Sequence, residues 1–178
     1  MTFRGTQCVV RPLRMVDADS IVRHANNINI AKHLRDRFPH PYTHEDARLF
    51  LAMTAGPDSD GSNLAIEVGG EAVGAIGFIV GSDVERYSAE IGYWLGEAYW
   101  GRGIMTEALA LLTQDLFSRV NLLRLFALPF ADNPASARVL EKVGYVREAV
   151  LRSSCVKYGV PKDQLLYARL NAEWRRPD

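Results

Sequence analysis

The stretch of this sequence best suited to chemistry is YWGRGIMTEALA, Tyr99 to Ala110, where Gly101 and Gly103 stand immediately before a helix-forming run. Glycines at such a junction let backbone N–H groups of the first helical turn point outward with no side chain in the way, which suits a phosphate or pyrophosphate. Two familiar phosphate devices are excluded by spacing. No Lys-Ser/Thr pair follows, so this is not a P-loop, and no third glycine completes a dinucleotide-binding fingerprint. Taken alone, the glycine pair serves equally well as a tight strand-to-helix turn that binds nothing. A second group is the carboxylate of Glu90, which enters a strand, SAEIGYWLG, otherwise built for burial. Alternation puts Glu90, Gly92 and Trp94 on one face and Ile91, Tyr93 and Leu95 on the other. A third is NPAS, where Asn133 suits a helix cap, Pro134 the first helical position and Ser136 the first turn. His33, His40 and His44 lie close in sequence, but Pro41 and a Thr43 cap take His40 and His44 off a common helix face, and no metal is expected.

Several elements are needed to hold these groups. CVVRPL, Cys8 to Leu13, reads as an edge strand or the start of one, because Pro12 lacks an amide donor. Asp17 is placed to cap a helix in which Ala18, Ile21, Val22 and Ala25 recur at helical spacing, ending at Asn26 and Asn27. Thr43 and Asp46 have capping-box spacing for a second helix, stopped by Gly56 and Pro57. NLAIEV, AVGAIGFIV and SAEIGYWLG then read as an antiparallel meander, the first two joined at Gly69 and Gly70. A long helix spans about Ile104 to Arg119, with Ile104, Ala108, Leu111, Leu112, Leu116 and Val120 as its buried stripe. It crosses over to the strand LLRLFALPF, which must therefore run parallel to the strand before the helix. A helix opened by Asn133 and closed by Gly144 follows. Two last strands, within YVREAVLRSSCVKYG and QLLYARLNAEW, are expected to turn at Val160 and Pro161. The pattern is α+β, a mixed, mostly antiparallel sheet with helices on both faces.

Composition narrows the partners. The 178 residues fit one domain, residues 1–178. Lys plus Arg and Asp plus Glu both number 21, so no charge excess announces a nucleic acid or a membrane surface. Cys8 and Cys155 lack metal-ligand spacing and read as reduced thiols. No stretch approaches a membrane span, and the amino-terminal residues have no apolar leader core, so a cytoplasmic protein is expected.

AEIGYWLGEAYWGRGIMTEALALL, followed by NPASARVLEKVGY, resembles the coenzyme A-binding core of the GNAT superfamily of N-acetyltransferases, closest to the RimJ/RimL-like branch of ribosomal-protein Nα-acetyltransferases. VVRPLRMVDA is similar to that branch's opening strand and helix, and QLLYARLNAEW to its last strand, so the resemblance covers most of the chain. It implies the GNAT fold with a splayed pair of strands, acetyl-CoA as co-substrate, no metal, and acetyl transfer to a primary amine by direct attack in a ternary complex. The amine is a protein N-terminus or a small molecule. A non-catalytic acyl-CoA-binding module is the rival reading.

The resemblance also implies roles. The superfamily pattern Gln/Arg-x-x-Gly-x-Gly/Ala falls on Trp100, Gly103 and Met105, so the chain departs from it at both ends. Met105 requires only ordinary helical backbone there. The coenzyme pyrophosphate is thereby placed on the N–H groups of Arg102, Gly103, Met105 and Thr106, and the pantetheine on the backbone of Trp94 and Leu95. Glu90 matches the position of a general base. The tyrosine that serves many members as acid is replaced by Leu140, which leaves Ser136 to hydrogen-bond the departing sulfur or relay a proton, while Asn133 contacts the coenzyme. The segment LRDRFPHPYTH, with Arg35, Asp36, Arg37, His40, Tyr42 and His44, is either a wall of the acceptor pocket or a rigid connector with solvated charges. Free strand edges in such a fold invite pairing between subunits, which makes a homodimer the expected assembly.

Overall fold

The structure, a computed structural model, describes residues 2–55 and 62–175. The expected helix stop at Gly56 and Pro57 lies outside these residues. The chain divides into two compact units, Met1–Gly77 with Tyr93–Ala108, and Phe78–Gly92 with Leu109–Asp178.

The first unit begins with a short hairpin, β1 (Phe3–Arg4) and β2 (Val9–Pro12), paired Phe3 to Val10 and Arg4 to Val9. β2 also pairs antiparallel with β3 (Asn63–Val68). The expected edge strand is thus flanked on both sides, and Pro12 is tolerated because it is the strand's last residue. β3 continues antiparallel into β4 (Glu71–Val80) through Gly69 and Gly70, both at positive φ. Helix α1 (Ala18–Ala25) ends where the asparagines were expected to stop it. A four-residue helix, α2 (Ile28–Ala31), follows under a cap in which the Asn27 side chain accepts from the Asn29 N–H. α3 (His44–Ala55) opens on the expected box: the Asp46 N–H donates to the Thr43 hydroxyl, and the Thr43 N–H to the Asp46 carboxylate. Leu13, Ile21, Ala25, Tyr42, Ala47 and Leu51 form the core here, with Phe38 and Trp94 packed against it.

Asp17 precedes α1 as expected but does not cap it with its side chain. Its carboxylate grips the guanidinium of Arg11 through two 2.8 Å bonds and accepts from the Arg14 N–H, and Glu67 takes the remaining Arg11 Nε. Arg11 is 3% exposed, and a buried guanidinium needs its counter-charge more than the helix needs one cap.

In the second unit, β5 (Ser88–Leu95) pairs parallel with β6 (Arg124–Ala127) through Ser88–Arg124, Ala89–Leu125 and Glu90–Phe126. α4 (Ile104–Ser118) supplies the crossover that forced this direction. Its buried face includes Ile104, Ala108, Leu112 and Leu116 as expected, and Met105 and Leu109 as well. Val120 lies beyond the helix end and is exposed, so it does not belong to the stripe. α5 (Pro134–Lys142) is closed by Val143 and Gly144, the latter at φ +85°. β7 (Val146–Lys157) and β8 (Val160–Leu170) close the fold as an antiparallel hairpin. The hairpin turns at Tyr158 and Gly159, not at Val160 and Pro161. Lys157 pairs with Val160, and a two-residue loop of this kind needs positive φ at both central positions, which Tyr158 (+52°) and Gly159 (+76°) provide and proline cannot. The strands are hydrogen-bonded in the order β1-β2-β3-β4-β5-β6-β8-β7, a mixed sheet in which β5–β6 is parallel and β1–β2, β2–β3, β3–β4, β6–β8 and β7–β8 are antiparallel.

Candidate active site

In the first unit the candidate groups follow one another along a strand end, a turn and a helix start. Trp94 is half-buried and packs edge-on against Phe38, ring centroids 5.6 Å apart, with Phe38 in turn against Tyr42. In LRDRFPHPYTH, therefore, Phe38 and Tyr42 turn inward, whereas Arg35, Asp36, Arg37 and His40 are exposed. β5 approaches β4 closely at Gly74, where a Cβ would fall 2.5 Å from the Trp94 carbonyl oxygen. Just past the strand's end the Gly96 N–H still donates to the Val73 carbonyl of β4, and the Leu95 carbonyl accepts from the Trp100 indole Nε1 at 2.8 Å. A carbonyl has two lone pairs, so this bond leaves one at Leu95. Glu97, between them, accepts from the side-chain amides of Asn27 and Asn29, which hold its carboxyl below the usual carboxylate range.

Gly101 and Gly103 adopt φ of +74° and +80°, backbone that a β-carbon disfavours. The first bond of α4 runs from the Glu107 N–H to the Gly103 carbonyl. Gly103 therefore stands in the capping position without a capping side chain. Among the described residues, no protein acceptor takes a hydrogen bond from the N–H groups of Arg102, Gly103, Met105 or Thr106. Met105 sits in regular helix, 7% exposed. The Arg102 guanidinium rests over the Tyr99 ring, 5.3 Å from its centroid. Donors without acceptors at the positive end of a 15-residue helix, and no side chain at Gly103 to fill the space before them, form a donor set that fits a pyrophosphate.

Glu107 is a residue that sequence reasoning missed. Its carboxylate leaves its own helix and accepts from the Thr6 N–H (2.7 Å), the Thr6 hydroxyl (2.7 Å), the Gln7 N–H (2.8 Å) and the Cys8 N–H (3.0 Å). Burial alone would push this carboxyl up, but those hydrogen bonds outweigh it and hold it at about 2, against an ordinary 4.5. The Cys8 thiol, buried beside the same carboxylate, is pushed up to about 12 by burial and by its hydrogen bond to Glu107. A glutamate in the first turn of a helix signals only a favourable dipole term, and nothing in the sequence connects it to residues a hundred positions away.

The second unit holds the remaining candidates. Glu90 is half-buried in the last registered pair of β5 with β6, opposite Phe126; β5 continues beyond that pair and β6 ends at Ala127. Asn133 caps α5, its Oδ1 accepting the Ser136 N–H at 3.2 Å, with Pro134 at the first position. The cap takes the Ser136 backbone N–H. The loop that delivers Asn133 is stitched to β8 by backbone bonds, Ala131 N–H to the Asp163 carbonyl and Leu165 N–H to the Pro129 carbonyl, each 2.9 Å. Gln164 Nε2 donates to the Leu128 carbonyl at 3.1 Å, and Lys162 pairs with Asp132. Leu140 is fully buried. Tyr145 is no poised acid: burial pushes its hydroxyl up to about 12, and it hydrogen-bonds Thr113 at 2.9 Å.

Among the described residues no group of three or more His, Cys, Asp or Glu side chains is arranged to hold a metal ion, and no helix is long and apolar enough to cross a membrane.

Comparison with known proteins gives a concordant result. The acetyltransferase (GNAT) domain family matches residues 7–146. The uncharacterized N-acetyltransferase YoaA of Bacillus subtilis is 37% identical over 98 residues, 55% of this chain and 55% of its own length. The ribosomal-protein-serine acetyltransferase of Escherichia coli is 35% identical over 83 residues, 47% of this chain and 46% of its own. The chain thus spans about half the length of these two relatives. Among solved structures, the ribosomal-protein-S5-alanine acetyltransferase of Vibrio fischeri superposes with a TM-score of 0.84 at 22% identity, covering 99% of this chain and 100% of that one.

Proposed function

Because the chain belongs to the acetyltransferase (GNAT) domain family, we propose that it moves an acetyl group from acetyl-CoA to a primary amine by direct attack within a ternary complex. The match extends across residues of both units, which supports reading residues 1–178 as one acetyltransferase domain. The observation that carries the coenzyme assignment is the set of N–H groups at Arg102, Gly103, Met105 and Thr106, donors at a helix start with no protein acceptor among the described residues. They hold the pyrophosphate, and the backbone of Trp94 and Leu95 holds the pantetheine. Arg102 adds charge there while stacked on Tyr99. Asn133 contributes a further coenzyme contact.

Acetyl-CoA supplies the activated acyl group, and the chain's own residues manage protons. The amine must be neutral to attack, and Glu90, directly or through water, takes its proton. The departing sulfur needs a hydrogen-bond donor, which the Ser136 hydroxyl provides. Holding both substrates together supplies much of the rate. The acceptor is a protein N-terminal α-amine or a small amine. The partial match to the ribosomal-protein-serine acetyltransferase supports a peptide N-terminus as the acceptor, and with it a cytoplasmic site of action is proposed. A homodimer is proposed with it, since β7 is an outermost strand with its edge available.

Coenzyme A release across a panel of peptides with varied N-termini, polyamines and amino acids tests the reading. Turnover with at least one amine, lost in Glu90→Gln with coenzyme binding retained, is the expected result. Intact acetyl-CoA binding without turnover on any amine would instead identify a binding module, and absence of any thermal shift with acetyl-CoA would remove both coenzyme readings.

A further inference from the structure

The hairpin loop Gly5–Cys8 and the side chain of Glu107 form an arrangement that the proposed reaction does not use. Three consecutive N–H groups converge on one carboxylate, a concave anion-binding shape in which the anion is the protein's own. The fit is tight on both sides. A Cβ at Gly5 would lie 2.2 Å from Glu107 Oε2, and a Cβ at Gly103 would lie 3.2 Å from the Gln7 amide. The loop therefore lies directly behind the glycine turn.

The position of Glu107 gives this arrangement a consequence. It stands in the first turn of α4, one turn after Gly103, where a free carboxylate can reach back to the N–H groups that open its own helix. Those are the N–H groups proposed to hold the pyrophosphate, and a carboxylate placed there competes with it and repels it. Bound by Thr6, Gln7 and Cys8, the carboxylate is turned away and its charge is met by hydrogen-bond donors. We propose that Glu107 is a positioning residue for coenzyme binding: docking of the Gly5–Cys8 loop onto its carboxylate fixes the first turn of α4 and keeps its N–H groups open to the pyrophosphate. By linkage, coenzyme binding and docking of the loop then favour each other to the same degree.

This inference rests on the coenzyme reading above, and the test separates the two. Coenzyme A binding to the unmodified protein is measured by calorimetry, and amide hydrogen exchange at Thr6, Gln7 and Cys8 is followed with and without saturating coenzyme A. Slower exchange at all three amides on binding is expected; unchanged exchange on binding overturns the proposal, and no binding at all overturns the coenzyme reading itself. Glu107→Gln and Gly5→Ala, the second of which leaves the carboxylate but pushes the loop off it, are each expected to weaken coenzyme A binding about tenfold, within the range of ordinary coupling. In both, the KM for acetyl-CoA rises while the KM for the amine and kcat at saturating acetyl-CoA stay within about twofold, a split that general loss of folded protein does not produce. Variants that lose protection at Thr6–Cys8 yet bind coenzyme A as the parent does would sink the proposal. If neither variant folds, the exchange measurement on the unmodified chain decides.

Discussion

Two helix starts in this molecule are built by opposite means. α5 is self-sufficient: Asn133 caps it, Pro134 fixes its first φ, and both instructions lie within four residues of the helix they serve. α4 begins with a glycine that has no side chain to offer; its first turn is braced from outside by Glu107 on the Gly5–Cys8 loop, and the turn leading to it by the Trp100 indole on the Leu95 carbonyl and by Glu97 on Asn27 and Asn29. A helix that caps itself has spent its N–H groups on itself. One that is held by its neighbours keeps them for a ligand, and its geometry then depends on those neighbours.

The sharpest break of this comparison is at Ser136. Because the α5 cap takes the Ser136 backbone N–H, Ser136→Ala keeps that cap, and kcat should fall about a hundredfold, the range for loss of a positioned proton donor. A fall in Tm with kcat intact would reduce Ser136 to a structural residue. Next are the two glycines at positive φ that flank the helices. Gly103→Val forces a β-branched residue to φ +80° and into the Gln7 amide, at roughly 1–3 kcal/mol of backbone strain, and should weaken coenzyme A binding about tenfold or more. Gly144→Ala, at φ +85° after α5, should cost about 1–2 kcal/mol in urea denaturation and leave coenzyme affinity as it was. Equal effects on binding would dissolve the distinction between the two helices.

The smallest effect is in acid. The Glu107 carboxyl is held at about 2 when folded, below its ordinary 4.5, so the folded state binds fewer protons there than the unfolded chain. Its contribution to stability is complete above about pH 4.5 and is lost as pH falls toward 2. The urea midpoint of the parent should therefore fall more steeply across that window than that of Glu107→Gln; parallel curves would show that the carboxylate does not carry the bracing.

Much of this was legible in the chain. The α5 start, the Thr43–Asp46 box, the antiparallel β3–β4 pair and the parallel direction forced by a crossover helix all depend on residues a few positions apart, or on one connection rule. The Val160–Pro161 turn was misplaced because Gly159 beside Tyr158 satisfies a two-residue loop that proline cannot. Asp17 was read as a cap because sequence shows a helix start but not the buried Arg11 beside it. LRDRFPHPYTH reads in sequence as an acceptor wall or a charged connector, and only packing separates Phe38 and Tyr42 from the exposed Arg35, Asp36 and Arg37.

The sequence by itself determined the α+β order of elements and the glycine turn at the head of α4, because local sterics, periodicity and capping chemistry act between near neighbours; the family was carried by the resemblance of its motifs. Only the tertiary structure decided where the Glu107 carboxylate goes, which carbonyl the Trp100 indole occupies, and how Arg11 is neutralised. Each of those is a polar group choosing among partners far away in the chain, and the choice depends on burial and on which donors the fold brings within about 3 Å, neither of which a linear pattern carries.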